Sequence, residues 1–167
     1  AWEEALDLYD KRIHAKTASL FAAATEAASV LGSAPEAEQD ALRAYGQLLG
    51  TGFQIVDDVL DFQGDQEVLG KPVASDLREG IVTLPVLYFL REHPDDERVA
   101  AVVRDGGDEE LVREVVAAIR EAGAVDQALD RARSFVAQSQ VALSSLPEGK
   151  TRDTLYALAD YTISREK

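Results

Sequence analysis

Asp57, Asp58 and Asp61 form a D-D-x-x-D cluster inside a run of otherwise mostly apolar residues, Gly-Phe-Gln-Ile-Val-Asp-Asp-Val-Leu-Asp-Phe. On a helix, Asp57 and Asp61 share a face and Asp58 lies about 100° round from them. Gln54, three residues before Asp57, lies beside them. Three carboxylates on an apolar helix cannot all stay ionised in a dry interior without positive partners. Hard oxygen ligands at this spacing suit Mg²⁺, which takes carboxylates together with water and substrate phosphates. An acidic rim at a solvated helix end is the alternative; the apolar surroundings and Gln54 favour the metal. Lys71, in Leu-Gly-Lys-Pro, follows on a glycine-centred turn, where it can reach a phosphate held by such a metal or simply face water. Lys16-Thr17 sits among Ala15, Ala18, Ala22, Ala23 and Ala24, where a cation and a hydroxyl face either a cleft or solvent.

The elements that position these residues read as helices. The chain is rich in Ala, Leu, Glu and Arg, and its apolar residues recur three and four apart. The first helix is expected from Trp2 to Leu31, with Leu6, Tyr9, Ile13, Leu20 and Phe21 facing inward. A connector over 32–39 leads to a second helix from about Glu38 to Phe62, apolar on most of its faces, as a helix buried in a bundle should be. Gly46, Gly50 and Gly52 within it mean either close helix–helix packing or room for a ligand. The periodicity stops between Gly64 and about Gly80, which reads as a long loop. A helix resumes near Val82, with Pro85 in its first turn. Further helices are expected near 95–104, 108–121 and 125–146, and from Pro147 or Gly149 to the end. Asp108 and Gly123 punctuate the second of these as caps.

Composition narrows the function classes. The 167 residues include 17 Lys+Arg and 31 Asp+Glu, a net charge of -14, so no basic surplus exists to displace counterions from nucleic acid. The absence of cysteine removes disulfides, thiolate metal sites and thiol nucleophiles, and two distant histidines form no zinc motif. No run approaches the roughly 18 apolar residues of a membrane span. The opening AWEEALDLYDKR has no secretory pattern, so a cytoplasmic location is expected. With no methionine, and with Ala1 starting in helical sequence, the chain reads as a fragment or a trimmed piece.

The run GTGFQIVDDVLDFQGDQEVLGKPVASDLREGIVTLP closely resembles the second aspartate-rich motif of the trans-isoprenyl diphosphate synthases, the polyprenyl synthetases. Lys16-Thr17-Ala18 is similar to that family's upstream Lys-Thr element, and Tyr161-Thr162-Ile163-Ser164-Arg165 looks like its C-terminal tail. The first aspartate-rich motif and the basic isopentenyl diphosphate site of the family are not in this chain. The resemblance therefore covers the C-terminal half of a synthase, over residues 1–167. Ile81 stands where many short-chain members carry Lys, which leans toward a longer polyprenyl product.

The resemblance implies an all-α helical bundle of the isoprenoid synthase type and Mg²⁺-dependent head-to-tail transfer of an allylic diphosphate's prenyl chain to isopentenyl diphosphate. It implies Asp57, Asp58 and Asp61 as metal ligands or their supports, and Lys16 and Lys71 as diphosphate contacts. Thr17 and Gln54 would aim dipoles at the cation, with Asp76 in a matching position of less defined role. It also implies that this half alone is inactive. The alternative is a non-catalytic partner subunit of a hetero-oligomeric synthase; a terpene cyclase of the same fold would carry an Asn/Ser/Glu metal motif in place of the aspartates. Half a bundle leaves apolar faces uncovered, so the run from Leu48 to Leu60 is expected to drive a homodimer or higher oligomer.

Overall fold

The structure is a computed structural model and describes residues 2–63 and 73–164. Among the described residues every regular element is helical. These are α1 (Trp2–Ile13), a π-helical turn (His14–Ala18), α2 (Ser19–Leu31), α3 (Glu36–Gln63), α4 (Ser75–Arg78), α5 (Leu84–Glu92), α6 (Glu97–Asp105), α7 (Glu109–Glu121), α8 (Ala124–Ala142), a 3₁₀ turn (Leu143–Ser145) and α9 (Lys150–Ser164). The all-α expectation holds. Two local expectations do not. The helix expected from Trp2 to Leu31 is interrupted at His14–Ala18, where the Ser19 amide donates to the His14 carbonyl, an i→i−5 bond that takes one extra residue into the turn. The stretch expected as loop up to Gly80 contains the short helix α4, which begins after Ala74 in the left-handed region (φ 55°).

The chain divides into two compact units, one made of residues 1–9 and 57–129, the other of 10–56 and 130–167. In the second, Tyr45, Leu49, Val136, Leu143 and Ala159 form a buried core, flanked by Phe21, Leu42, Leu155 and Tyr156. The Tyr45 hydroxyl donates to the Leu155 carbonyl at 2.8 Å, which satisfies the polar end of a fully buried ring. The glycines of α3 are explained here. A methyl on Gly46 would lie 2.5 Å from the Phe21 carbonyl oxygen, and one on Gly50 would lie 2.8 Å from the Ala18 α-carbon. One on Gly52 would lie 2.8 Å from Val136 Cγ2. They mark close helix–helix approach, with no room for a ligand beside them. Arg131 holds Asp10 with one nitrogen at 2.9 and 2.7 Å from the two carboxylate oxygens.

In the other unit, Tyr9, Val59, Phe62, Leu77, Leu84, Val86, Phe89, Val102, Val112, Val115 and Ile119 are buried. α4 and α7 both pack on α6, and α5 packs on α7. The helix ends follow the expected chemistry. Asp96 accepts from the Arg98 and Val99 amides to cap α6, Asp108 accepts from the Leu111 amide to cap α7, and Pro85 opens α5. Arg120 of α7 reaches the C-terminus of α3, donating from Nε to the Phe62 carbonyl at 2.7 Å and also from Nη2. A guanidinium there satisfies an orphan carbonyl and offsets the negative end of the helix dipole.

The apolar run of α3 is not the exposed surface that its composition suggested. Leu49, Ile55, Val56 and Val59 are buried within the chain itself. Leu20, expected to face inward, is instead 71% exposed, and Leu31 at the other end of α2 is 86% exposed. Among the described residues no helix is long and apolar enough to cross a membrane.

Candidate functional site

The unit formed by residues 1–9 and 57–129 holds the three aspartates, and they meet three different environments. Asp57 is exposed. Asp58 is 3% exposed, and its Oδ2 accepts the Tyr9 hydroxyl at 2.8 Å. Asp61 is half-buried, and both its oxygens are engaged: the Ser75 amide donates to Oδ1 at 3.0 Å and the Asp76 amide to Oδ2 at 3.1 Å. The Ala74 amide donates to the Asp61 backbone carbonyl at 2.9 Å, so this one residue ties the start of α4 to the end of α3. Burial pushes the Asp61 carboxyl above its ordinary range, and the nearby Asp76 charge adds to that. The two amide bonds pull the other way without overcoming it.

The helical spacing places Asp57 and Asp61 on one face, and the backbone agrees. Their carboxylates nevertheless do different things, because Asp61 finds backbone donors. Among the described residues no three Asp, Glu or His side chains converge on a point that could hold a metal. That arrangement still fits Mg²⁺ in its usual protein setting, where one or two carboxylates share the ion with water and substrate phosphates. Asp57 is the carboxylate that this helix presents outward for such a role.

The unit formed by residues 10–56 and 130–167 holds the second group. Lys16 and Thr17 lie on the π-helical turn. Such turns are uncommon and gather at functional positions. Lys16 is exposed, and Thr17 Oγ1 donates to Gln54 Oε1 at 2.6 Å. Gln54 is 3% exposed, so the bond gives one polar atom of a buried amide a partner. It joins the two residues that the family resemblance would aim at a cation. Lys71 and Arg165 lie outside the described residues. Asp76 is half-buried, and its carbonyl accepts the Ile81 amide at 2.8 Å, closing the turn after α4.

Two residues of the acidic region have no role that the sequence alone reveals. Tyr9 is legible there only as an inward residue; its signal is a phenol among apolar positions, which needs a buried acceptor. Arg120 carries no local signal, since its partner is a backbone carbonyl 58 positions away.

The chain is thus an all-helical protein with an acidic cluster in the last two turns of α3. Residues 2–119 match the profile of the family described as Polyprenyl synthetase, and the chain belongs to that family. It is 38% identical to the octaprenyl diphosphate synthase of Haemophilus influenzae over 160 residues, covering 94% of this chain and 48% of that protein. It is also 38% identical to heptaprenyl diphosphate synthase component 2 of Geobacillus stearothermophilus, covering 99% of this chain and 51% of that one. Among solved structures, the polyprenyl synthase from Caulobacter crescentus CB15, complexed with calcium and isoprenyl diphosphate, superposes with a TM-score of 0.88 at 38% identity. The match covers 96% of this chain and 50% of that one. The chain spans about half the length of the curated relatives it matches.

Proposed function

We propose that this chain supplies the second acidic motif and the Lys-Thr element of a Mg²⁺-dependent polyprenyl diphosphate synthase. The observation that carries the reading is the exposed Asp57 carboxylate, set between the buried Val56 and Asp58 in the last two turns of α3 and within the segment that matches the polyprenyl synthetases. The Caulobacter relative, complexed with calcium and isoprenyl diphosphate, lends support by pairing a divalent cation with a diphosphate in a similar protein.

In this reading the substrates are an allylic diphosphate and isopentenyl diphosphate. The allylic C–O bond breaks and the diphosphate leaves with the electron pair. The double bond of isopentenyl diphosphate attacks the allylic carbon, and loss of one proton restores an alkene one isoprene unit longer. The hard part is separating charge, so the protein's work is electrostatic. Mg²⁺ would supply positive charge to the departing diphosphate. Asp57 would hold that cation as a ligand, with Asp58 and Asp61 fixing the helix end that presents it. Lys16 and Lys71 would neutralise diphosphate oxygens. Thr17, by binding Gln54, would orient the amide dipole toward developing positive charge. The test is incorporation of radiolabelled isopentenyl diphosphate by the complete synthase that contains this chain, given a short allylic primer and Mg²⁺. Absence of any metal-dependent product would overturn the reading.

A second reading, a non-catalytic partner subunit, is favoured by the likeness to a protein called component 2 of its synthase. The same assay separates the two, because a non-catalytic partner would tolerate loss of Asp57. A cytoplasmic location and a homodimer or higher oligomer remain part of the proposal.

A further inference from the structure

We infer that Tyr9 is a positioning residue of the acidic site, acting through Asp58; the inference rests on the synthase reading above. A buried carboxylate is costly unless donors surround it. Asp58 sits 3% exposed one residue after the outward-facing Asp57, and the Tyr9 hydroxyl, on a ring 2% exposed, donates to its Oδ2 at 2.8 Å. The bond spans 49 positions of sequence and joins α1 to the last turns of α3. It supplies a donor to a carboxyl group that burial removes from water.

The consequence follows from helix geometry. Asp57 and Asp58 are adjacent on a helix whose rotation is set by the buried Ile55, Val56, Val59 and Phe62, and the Tyr9 bond adds a polar anchor for Asp58 on that buried side. Asp61 is fixed from the other side by the Ser75 and Asp76 amides. With both neighbours held, Asp57 is the carboxylate presented to a cation, in one orientation. Without the Tyr9 hydroxyl, Asp58 loses a donor in a dry setting and is drawn toward water. It then competes with Asp57 for the cation and loosens the turn that presents it. Tyr9 thus holds Asp58 inward and leaves Asp57 as the outward carboxylate.

The test uses the complete synthase and two readouts. One is the Mg²⁺ concentration at half-maximal rate. The other is Mn²⁺ binding followed by electron paramagnetic resonance, in the presence of a non-reacting allylic thiodiphosphate. Tyr9→Phe keeps the ring and removes only the hydroxyl. It should weaken Mn²⁺ binding and raise the Mg²⁺ requirement by about tenfold, the scale of one hydrogen bond to a charged group. The rate at saturating Mg²⁺ should fall less than about threefold. Asp58→Asn tests the same bond from its other end and keeps an acceptor if the Phe variant folds poorly. In the Asp58→Asn background, where the hydroxyl meets an amide oxygen in place of a carboxylate, Tyr9→Phe should cost less Mn²⁺ affinity than it does in the wild type. If Tyr9→Phe and Asp58→Asn lower thermal stability but leave Mn²⁺ affinity at the wild-type value, or if their effects simply add, the positioning role is overturned and the bond is structural. If the wild-type enzyme neither binds Mn²⁺ with the analogue nor forms product, the synthase reading itself fails.

Discussion

Gly46→Ala is expected to destabilise the chain, although it replaces a poor helix residue by the best one. In an exposed helix the change would gain about 1 kcal/mol. Here the new methyl would lie 2.5 Å from the Phe21 carbonyl oxygen and 2.8 Å from its carbon, both backbone atoms of α2 that cannot rotate away. α2 must therefore move, and overpacking of this kind costs about 1–3 kcal/mol. The shift also pulls on Thr25, whose hydroxyl donates to the Leu42 carbonyl at 2.6 Å and lies 3.1 Å from the Phe21 carbonyl oxygen. Weakening that contact adds about 1 kcal/mol. The net loss is roughly 1–3 kcal/mol, which for a chain of this length lowers Tm by about 3–10 °C. Thermal melts by far-UV circular dichroism and urea midpoints measure it directly. An Ala variant that melts at or above the wild type would mean that α2 and α3 do not approach closely at Gly46. The small residues of α3 would then have to be read as the wall of a binding space.

Asp57→Ala in the complete synthase should lower turnover by about two or more orders of magnitude with little change in Tm, because the residue is exposed and its role is electrostatic; steady-state rates at saturating Mg²⁺ check it, and an unchanged rate excludes Asp57 as a ligand. Lys71→Ala should raise KM for the allylic diphosphate, while Lys71→Arg keeps part of the affinity; equal kinetics for wild type and the Ala variant would make it a solvated lysine. Burial pushes the Tyr45 phenol from 10.0 up to about 12, so the folded chain binds the proton more tightly than the unfolded one. The stability this gives is fully present below pH 10 and is lost as pH rises toward about 12, at up to about 1.4 kcal/mol per pH unit; Tyr45→Phe should abolish that part of the slope in alkaline urea titrations. The isolated 167-residue chain should make no detectable prenyl diphosphate. Lost positioning of two substrates can forfeit roughly 7–11 kcal/mol of barrier reduction, and clear product from this chain alone would refute that argument.

Helix content and most helix ends were legible because they are set locally. Asp108, Pro85 and Gly123 act within a turn of their own positions, and so their sequence context suffices. The π-helical turn at His14–Ala18 was missed: the buried Ile13 and Ala18 lie five residues apart, one more than a regular helix repeats, and the many neighbouring alanines hid that gap. What distinguishes it is a shift of hydrogen-bond partner that leaves no mark on composition. Leu20 misled for a different reason: the α2 run Ser19–Leu31 is apolar almost throughout, with Glu26 its one charged residue, so periodicity could not say which side faces α3. The glycines of α3 could be read two ways until the positions of Phe21, Ala18 and Val136 were known, because close approach is a property of the neighbour as much as of the glycine.

The acidic cluster shows how a sound physical premise can have more than one solution. Three carboxylates on an apolar helix do need compensation, and the apolar surroundings together with Gln54 pointed to a shared cation. The chain instead compensates two of them internally, Asp58 through a phenol and Asp61 through two backbone amides. Neither solution was visible locally, because Tyr9 lies 49 positions away and the donating amides belong to residues 75 and 76, whose own side chains give no hint of it. The compensation at Asp61 is incomplete, since burial still outweighs the amide bonds at its carboxyl. These bonds nonetheless do what a cation alone could not. They are directional, and each ties the end of α3 to a different element, α1 or α4. They are present whether or not an ion is bound, so the helix end is organised before a cation arrives. In the proposed synthase, a helix end held by hydrogen bonds would leave the exposed carboxylate, Asp57, to meet the ion, with Asp58 and Asp61 building the support behind it.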